Sequence, residues 1–148
     1  MTVKPIPDGY HAVTPYLVVN GAARLIDFLQ AAFGGRVTER LEAPNNRVGH
    51  SEVRIGDSVV MLADAPADGA PMPSMLYLYV SDVDAAYQRA LDAGGVAQQP
   101  VQDQFYGDRS GAVTDPTGNT WWIATRVEDV PSDELRRRAA AAMQKPAP

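Results

Sequence analysis

The sequence predicts an α+β fold: two tandem βαβββ modules forming a curved mixed-sheet cup with the helices outside, followed by a C-terminal helix. Three observations predict it. Tyr16-Leu17-Val18-Val19-Asn20-Gly21 lies over Tyr77-Leu78-Tyr79-Val80-Ser81-Asp82 as an internal repeat. Each copy leads into a helical pattern that stops at a glycine pair, Gly34-Gly35 and Gly94-Gly95, and three strand-like runs follow each helix. One βαβββ unit has a single helix and so leaves one face of its sheet uncovered; two copies side by side enclose that face as a cup, the natural place for a ligand.

Each element has its own local reason. His11 to Val19 is β-branched and aromatic and ends at Asn20-Gly21, the pattern of a strand. Ala22, Leu25, Ile26, Leu29, Ala32 and Phe33 then recur at intervals of three and four, a helix face that Gly34 ends as a C-cap. Arg36 to Leu41 and Gly49 to Ile55 are strands around the turn formers Pro44-Asn45-Asn46, and Gly56-Asp57 turns into a further strand, Ser58 to Ala63. Three prolines and a glycine between Asp64 and Ser74 mark a linker. The order then repeats: strand Met75 to Val80, a helix capped by Ser81 or Asp82 with the face Val83, Ala86, Tyr87, Ala90 and Leu91, and strands Val96 to Val101, Gly111 to Thr114 and Thr120 to Thr125. Trp121 is expected to pack under a helix, on the face opposite Trp122. Ser132 reads as the N-cap of a last helix, with Asp133 and Glu134 suited to its positive start and Lys145-Pro146-Ala147-Pro148 as a frayed end. The chain therefore divides into one domain over 1–130, with module 1 at about 10–64, a linker at 65–74 and module 2 at about 75–126, and a tail over 131–148.

Composition narrows the function. The 148 residues are 45% hydrophobic, enough for a real core, and carry 13 Lys plus Arg against 18 Asp plus Glu, a net charge of −5. That balance argues against an electrostatic grip on nucleic acid or an anionic membrane. No segment has the length of apolar sequence a membrane span needs and no apolar signal core precedes the first strand, so a cytoplasmic protein is expected. With no cysteine and two histidines there is no disulfide, thiolate nucleophile or cysteine-ligated zinc to consider. No Ser-His-Asp arrangement, phosphate-cradling glycine loop or dinucleotide fingerprint is present, and Asp115-Pro116-Thr117-Gly118-Asn119 reads as a turn between strands.

The order and spacing of several short segments carry a resemblance. They are Thr14-Pro15-Tyr16-Leu17-Val18-Val19, the helix end Phe28 to Gly34, Gly49-His50-Ser51-Glu52-Val53-Arg54-Ile55-Gly56-Asp57, Met61-Leu62-Ala63-Asp64, Val80-Ser81-Asp82-Val83-Asp84-Ala85-Ala86, Tyr106-Gly107-Asp108-Arg109, Asp115 to Asn119 and Glu128-Asp129-Val130. In these the sequence resembles the vicinal oxygen chelate superfamily of glyoxalase I, extradiol dioxygenases and bleomycin-resistance proteins, and within it the PhnB-like glyoxalase/bleomycin resistance proteins. The resemblance implies the cup-shaped fold and a homodimer. It does not imply one chemistry, because the scaffold hosts isomerases, lyases, dioxygenases and binding proteins. Metal-dependent members place four ligands on the cup strands; the matching positions here are Thr14, Val60 or Met61, Met75 and Trp122. A thioether, an indole and aliphatic groups supply no donor a divalent ion favours, so no metal and no other cofactor is expected.

The candidate ligand-binding residues follow. His50, Glu52 and Arg54 alternate along one strand and share a face, a polar wall able to orient a ligand or move a proton. Met75, Tyr77 and Tyr79 share a face of their strand, Tyr16 is the repeat counterpart of Tyr77, and Met61 and Trp122 complete a surface of rings and sulfur suited to a planar aromatic or cationic guest. Tyr106 and Arg109, with Asp108 as the alternative to Arg109, sit in a rim loop, Phe105 to Arg109. His11 is expected at the surface. The leading expectation is a metal-independent small-molecule-binding protein that sequesters an aromatic or cationic natural product or antibiotic, more binder than enzyme. The alternatives are a lyase-, isomerase- or dioxygenase-like enzyme working around His50 and Glu52, and a non-catalytic protein whose cup is packed shut.

Overall fold

The computed structural model describes residues 2–144. Its elements run β1 (Tyr16–Val19), α1 (Ala22–Phe33), β2 (Arg36–Ala43), β3 (Arg47–Ile55), β4 (Ser58–Asp64), β5 (Met75–Tyr79), α2 (Val83–Asp92), β6 (Val96–Asp103), β7 (Asp108–Thr114), β8 (Thr120–Arg126) and α3 (Ser132–Gln144). They form two four-stranded mixed sheets of identical topology, β1-β4-β3-β2 and β5-β8-β7-β6. In each, the first strand runs parallel to the last and the other neighbours are antiparallel. The repeat holds to the residue: Tyr16 pairs Met61 and Leu17 pairs Leu62, as Tyr77 pairs Trp122 and Leu78 pairs Ile123.

The two helices sit on one side of the sheets and weld the modules together. Leu25, Ile26, Phe28 and Leu29 of α1 are buried with Leu17, Val53 and Leu62 of their own sheet, in a cluster that also takes in Val113, Trp121 and Ile123 of the other. Trp121 does pack under a helix, that of the opposite module: its ring lies 5.1 Å from that of Phe33. Arg89 of α2 donates from Nε to the Ala32 carbonyl at 3.2 Å. Burying both helices between modules in this way leaves the other face of each sheet for function.

Two carboxylates hold the turns. Gly21 enters α1 at φ 98°, a left-handed conformation that suits glycine, and brings no capping side chain. Asp64 at the end of β4 supplies the cap instead: Oδ1 accepts from Gly21 N at 2.8 Å and Ala22 N at 3.0 Å, and Oδ2 accepts from Val48 N at 2.8 Å. Burial pushes this carboxyl up, but the three backbone donors, aided by Arg47, outweigh it and hold it below the usual range. In module 2, Asp115 accepts from Thr117 N at 2.7 Å, Thr117 Oγ1 at 2.8 Å and Trp121 Nε1 at 2.8 Å, and also from Asn119. Asn119 in turn accepts from Ser74 N at 2.9 Å, which fixes the linker's exit into β5.

Local differences from the expected elements have simple causes. β1 begins at Tyr16 and not at His11, because Pro15 has no N–H to contribute to a ladder and Thr14 bonds back to the His11 carbonyl; His11 is exposed, as expected. β7 begins three residues earlier than expected, so Asp108 and Arg109 belong to a strand and not to a loop. Ser132 is the first residue of α3 and not its cap; the Pro131 carbonyl accepts the first helical bond, from Leu135 N. The expected frayed end at Lys145 to Pro148 lies outside the described residues. Among those described, no helix is long and apolar enough to cross a membrane.

Candidate functional site

A bulge aims the first cluster. The β2–β3 register slips so that Leu41 pairs His50 while Glu42 pairs Val48, leaving Gly49 as the extra residue. Val48 can then join the core while His50, Glu52 and Arg54 point to the face away from the helices. There the Glu52 carboxylate lies 2.7 Å from His50 Nε2, and His50 Nδ1 lies 3.0 Å from the Tyr16 hydroxyl. A carboxylate can only accept, which places a proton on Nε2; in the neutral imidazole Nδ1 is then the acceptor for the phenol. Met61 stands between Tyr16 and Glu52, paired with both across the strands. Arg54 shares the face but is spent elsewhere, its Nη2 donating to the Gly9 carbonyl at 3.0 Å and tying down the N-terminal segment.

The second cluster is built on Asp108. Its side chain is 2% exposed, and its Oδ2 accepts from both the Tyr77 hydroxyl at 2.7 Å and the Tyr79 hydroxyl at 2.9 Å. The tyrosines are on β5 and the aspartate on β7, two strand spacings away, about 9.6 Å. Each side chain must therefore reach across β8. Room for this comes from small residues: Ala124, paired with Tyr79, and Ala112, paired with Trp122, are buried although they face the open side. The ring centroids lie 5.3 Å apart with planes at 58°, and the two residues remain 43% and 57% exposed, an accessible platform of two tilted rings. Burial, then hydrogen bonds to Asp108 and Tyr106, push the Tyr77 phenol far above its ordinary value; for Tyr79 the bond to Asp108 leads and burial follows. Both phenols stay neutral donors.

The clusters share an opening. A cleft of about 360 Å³ between β1 and β5 is lined by Pro15, Tyr16 and Leu17 on one side and Ser74, Met75, Leu76 and Tyr77 on the other. Of the residues singled out in the sequence, Tyr16, His50, Glu52 and Met61 come together on one sheet, and Met75, Tyr77, Tyr79, Tyr106 and Trp122 on or beside the other. Arg109 does not join them. Alternation along β7 sends it to the helix side, where it binds Asp84 through Nε and Nη2 and Asp103 through Nη1; those bonds raise its basicity and lower the Asp84 carboxyl. Its neighbour Asp108 takes the place at the site. The signal that could have found it is the row Asp108, Ser110, Ala112, whose side chains leave a trough for the facing tyrosines.

The family's metal positions can be tested on this geometry. Thr14 lies before β1 and is bonded to His11, and Met75 pairs Thr120 instead of Trp122. The rungs nearest the cleft present Tyr16 with Met61 and Tyr77 with Trp122. Two phenols, a thioether and an indole do not fit a hard divalent ion. Among the described residues, no three His, Asp or Glu side chains are grouped to hold a metal ion.

Comparison with known proteins agrees with the geometry. The family model described as Glyoxalase/Bleomycin resistance protein/Dioxygenase superfamily matches residues 10–123. An uncharacterised protein of Mycobacterium tuberculosis (strain ATCC 25618 / H37Rv) is 37% identical over 136 residues, covering 84% of this chain and 80% of its own length. TioX from Micromonospora sp. ML1 superposes with a TM-score of 0.67 at 26% identity, covering 79% of this chain and 99% of that one. The fosfomycin resistance protein FosX from Mesorhizobium loti superposes at 0.57 with 16% identity over 76% of this chain and 89% of that one, a likeness of fold alone.

Proposed function

Because the chain belongs to the glyoxalase/bleomycin resistance protein/dioxygenase superfamily, we propose that it is a metal-independent binding protein that holds and sequesters a planar aromatic small molecule, such as a natural product or antibiotic. The observation that carries this reading is the chemistry of the two rungs nearest the cleft, Tyr16 with Met61 and Tyr77 with Trp122, which offer rings and a thioether. Rings and a thioether bind through stacking and dispersion, and Tyr16, Met75 and Tyr77 line a cleft of about 360 Å³, within the range of small-molecule sites.

Fluorescence titration tests it. Trp122 is half-buried beside the platform and Trp121 is buried in the core, so a tricyclic aromatic such as proflavine is expected to quench mainly Trp122. Tyr77→Ala is expected to weaken binding about tenfold or more, the loss of one stacking partner. No saturable quenching by any planar aromatic in a broad panel would sink the proposal.

The relay Tyr16–His50–Glu52 supports a second reading, an enzyme that moves a proton without a metal. Glu52 orients the imidazole, His50 Nδ1 faces the phenol, and Tyr16 lines the cleft, so a proton taken from an acidic C–H or O–H of a bound molecule can pass through Tyr16 to His50. This reading expects solvent deuterium exchange into an enolisable aromatic ketone, read by proton NMR, to vanish in His50→Ala while binding remains measurable. Equal loss of exchange and binding would count against it.

A further inference from the structure

The carboxylate beneath the tyrosine platform has a consequence for which aromatic molecules are held. We propose that Asp108 makes the Tyr77–Tyr79 platform selective for planar aromatic cations over neutral rings of the same shape. This rests on the platform being the ligand surface.

A phenol that donates its proton to a carboxylate gains electron density on oxygen and, through it, on the ring, which deepens the negative potential over the ring face. Here both phenols donate to a single Asp108 oxygen and both residues remain exposed, so two polarised rings can act on one cationic guest. The anion itself is 2% exposed and poorly screened, so its field is felt through the rings and not lost to water. Among the described residues, the cation paired with it neutralises it incompletely: Arg126 lies 3.5 Å from Asp108 Oδ1, is half-exposed, and is shared with Asp129 at 3.3 Å. Asp108, Arg126 and Asp129 together keep one net negative charge. Glu128 and Glu134, farther along the chain, are answered by Arg137 and Arg138 and leave that balance unchanged.

The experiment compares proflavine, a tricyclic cation at neutral pH, with phenazine, a neutral tricycle of similar outline, on the full chain. The wild-type protein is expected to favour proflavine by about tenfold or more. In Asp108→Asn, which keeps an acceptor for the hydroxyls, that preference should fall to within about threefold through weaker proflavine binding, with phenazine unchanged. Arg126→Gln, at an exposed position and so independent of the core, should move the other way and strengthen proflavine about threefold. Equal binding of the two tricycles by the wild type, or a preference that survives Asp108→Asn and ignores Arg126→Gln, would overturn charge selection while leaving the platform as a binding surface. Failure of both tricycles to bind would overturn the platform and the selectivity together.

Discussion

Asp115→Ala is expected to lower the free energy of unfolding by about 4 kcal/mol and the melting temperature by roughly 10 °C. The residue is 3% exposed and accepts from the Thr117 backbone and hydroxyl, the Asn119 backbone and amide, and the Trp121 indole. Alanine removes every one of these acceptors at once. The turn donors that can reach water recover part of the loss, but the Trp121 N–H is inside the core and stays unanswered, at about 1–3 kcal/mol for a buried orphan. Asn119 then loses its fixed orientation, and with it the bond to Ser74 that sets where the linker enters β5. Since β5 carries Tyr77 and Tyr79, the same change should loosen the platform. Thermal unfolding by circular dichroism and a red shift of Trp121 emission measure it. A loss below about 1 kcal/mol would mean that the turn is held by its backbone alone.

Why this turn was legible and other features were not comes down to what local sequence encodes. The repeat, the glycine-terminated helices and the three strands after each helix follow from periodicity and turn chemistry, which depend on neighbours within a few residues. The repeat even carries register, since positions 45 apart in sequence pair in both modules, Tyr16 with Met61 and Tyr77 with Trp122. The polar wall was legible for the same reason: His50 and Glu52 alternate on one strand and meet at 2.7 Å. What alternation could not supply was the phase at a strand end. Ending the rim loop at Arg109 instead of Gly107 left open which of Asp108 and Arg109 faces the site, and β7 starting at Asp108 sends the aspartate to the tyrosines and the arginine to α2. The bulge at Gly49 is a second such case, invisible until β2 and β3 are paired. Asp64 is a third. No local pattern shows that a residue 42 positions away caps α1, because the cap is made by topology, through β4 lying beside β1.

That long-range cap gives the second large effect, and its pH dependence has a definite sign. Asp64→Ala is expected to cost about 2–3 kcal/mol near neutral pH, from the loss of an N-cap and of the acceptor for Val48 N–H. Glycine at position 21 has no side chain to substitute for it. In the folded protein the Asp64 carboxyl is held below its unfolded value of 3.8, so the unfolded chain binds the proton more readily. The stabilisation is therefore complete above that value and is lost as the pH falls through the lower folded pKa. The gap between wild type and Asp64→Ala, read from urea unfolding at a series of pH values, should stay constant from pH 7 to about 5 and then narrow as acid titrates the folded carboxylate. A gap that widens in acid would mean that the neutral acid, and not the carboxylate, caps α1. Asp64→Asn separates charge from geometry: it retains one acceptor for Gly21 and Ala22 but offers only an amide where Oδ2 received Val48 N–H, so it should lie between the two and show no narrowing of its own from this group.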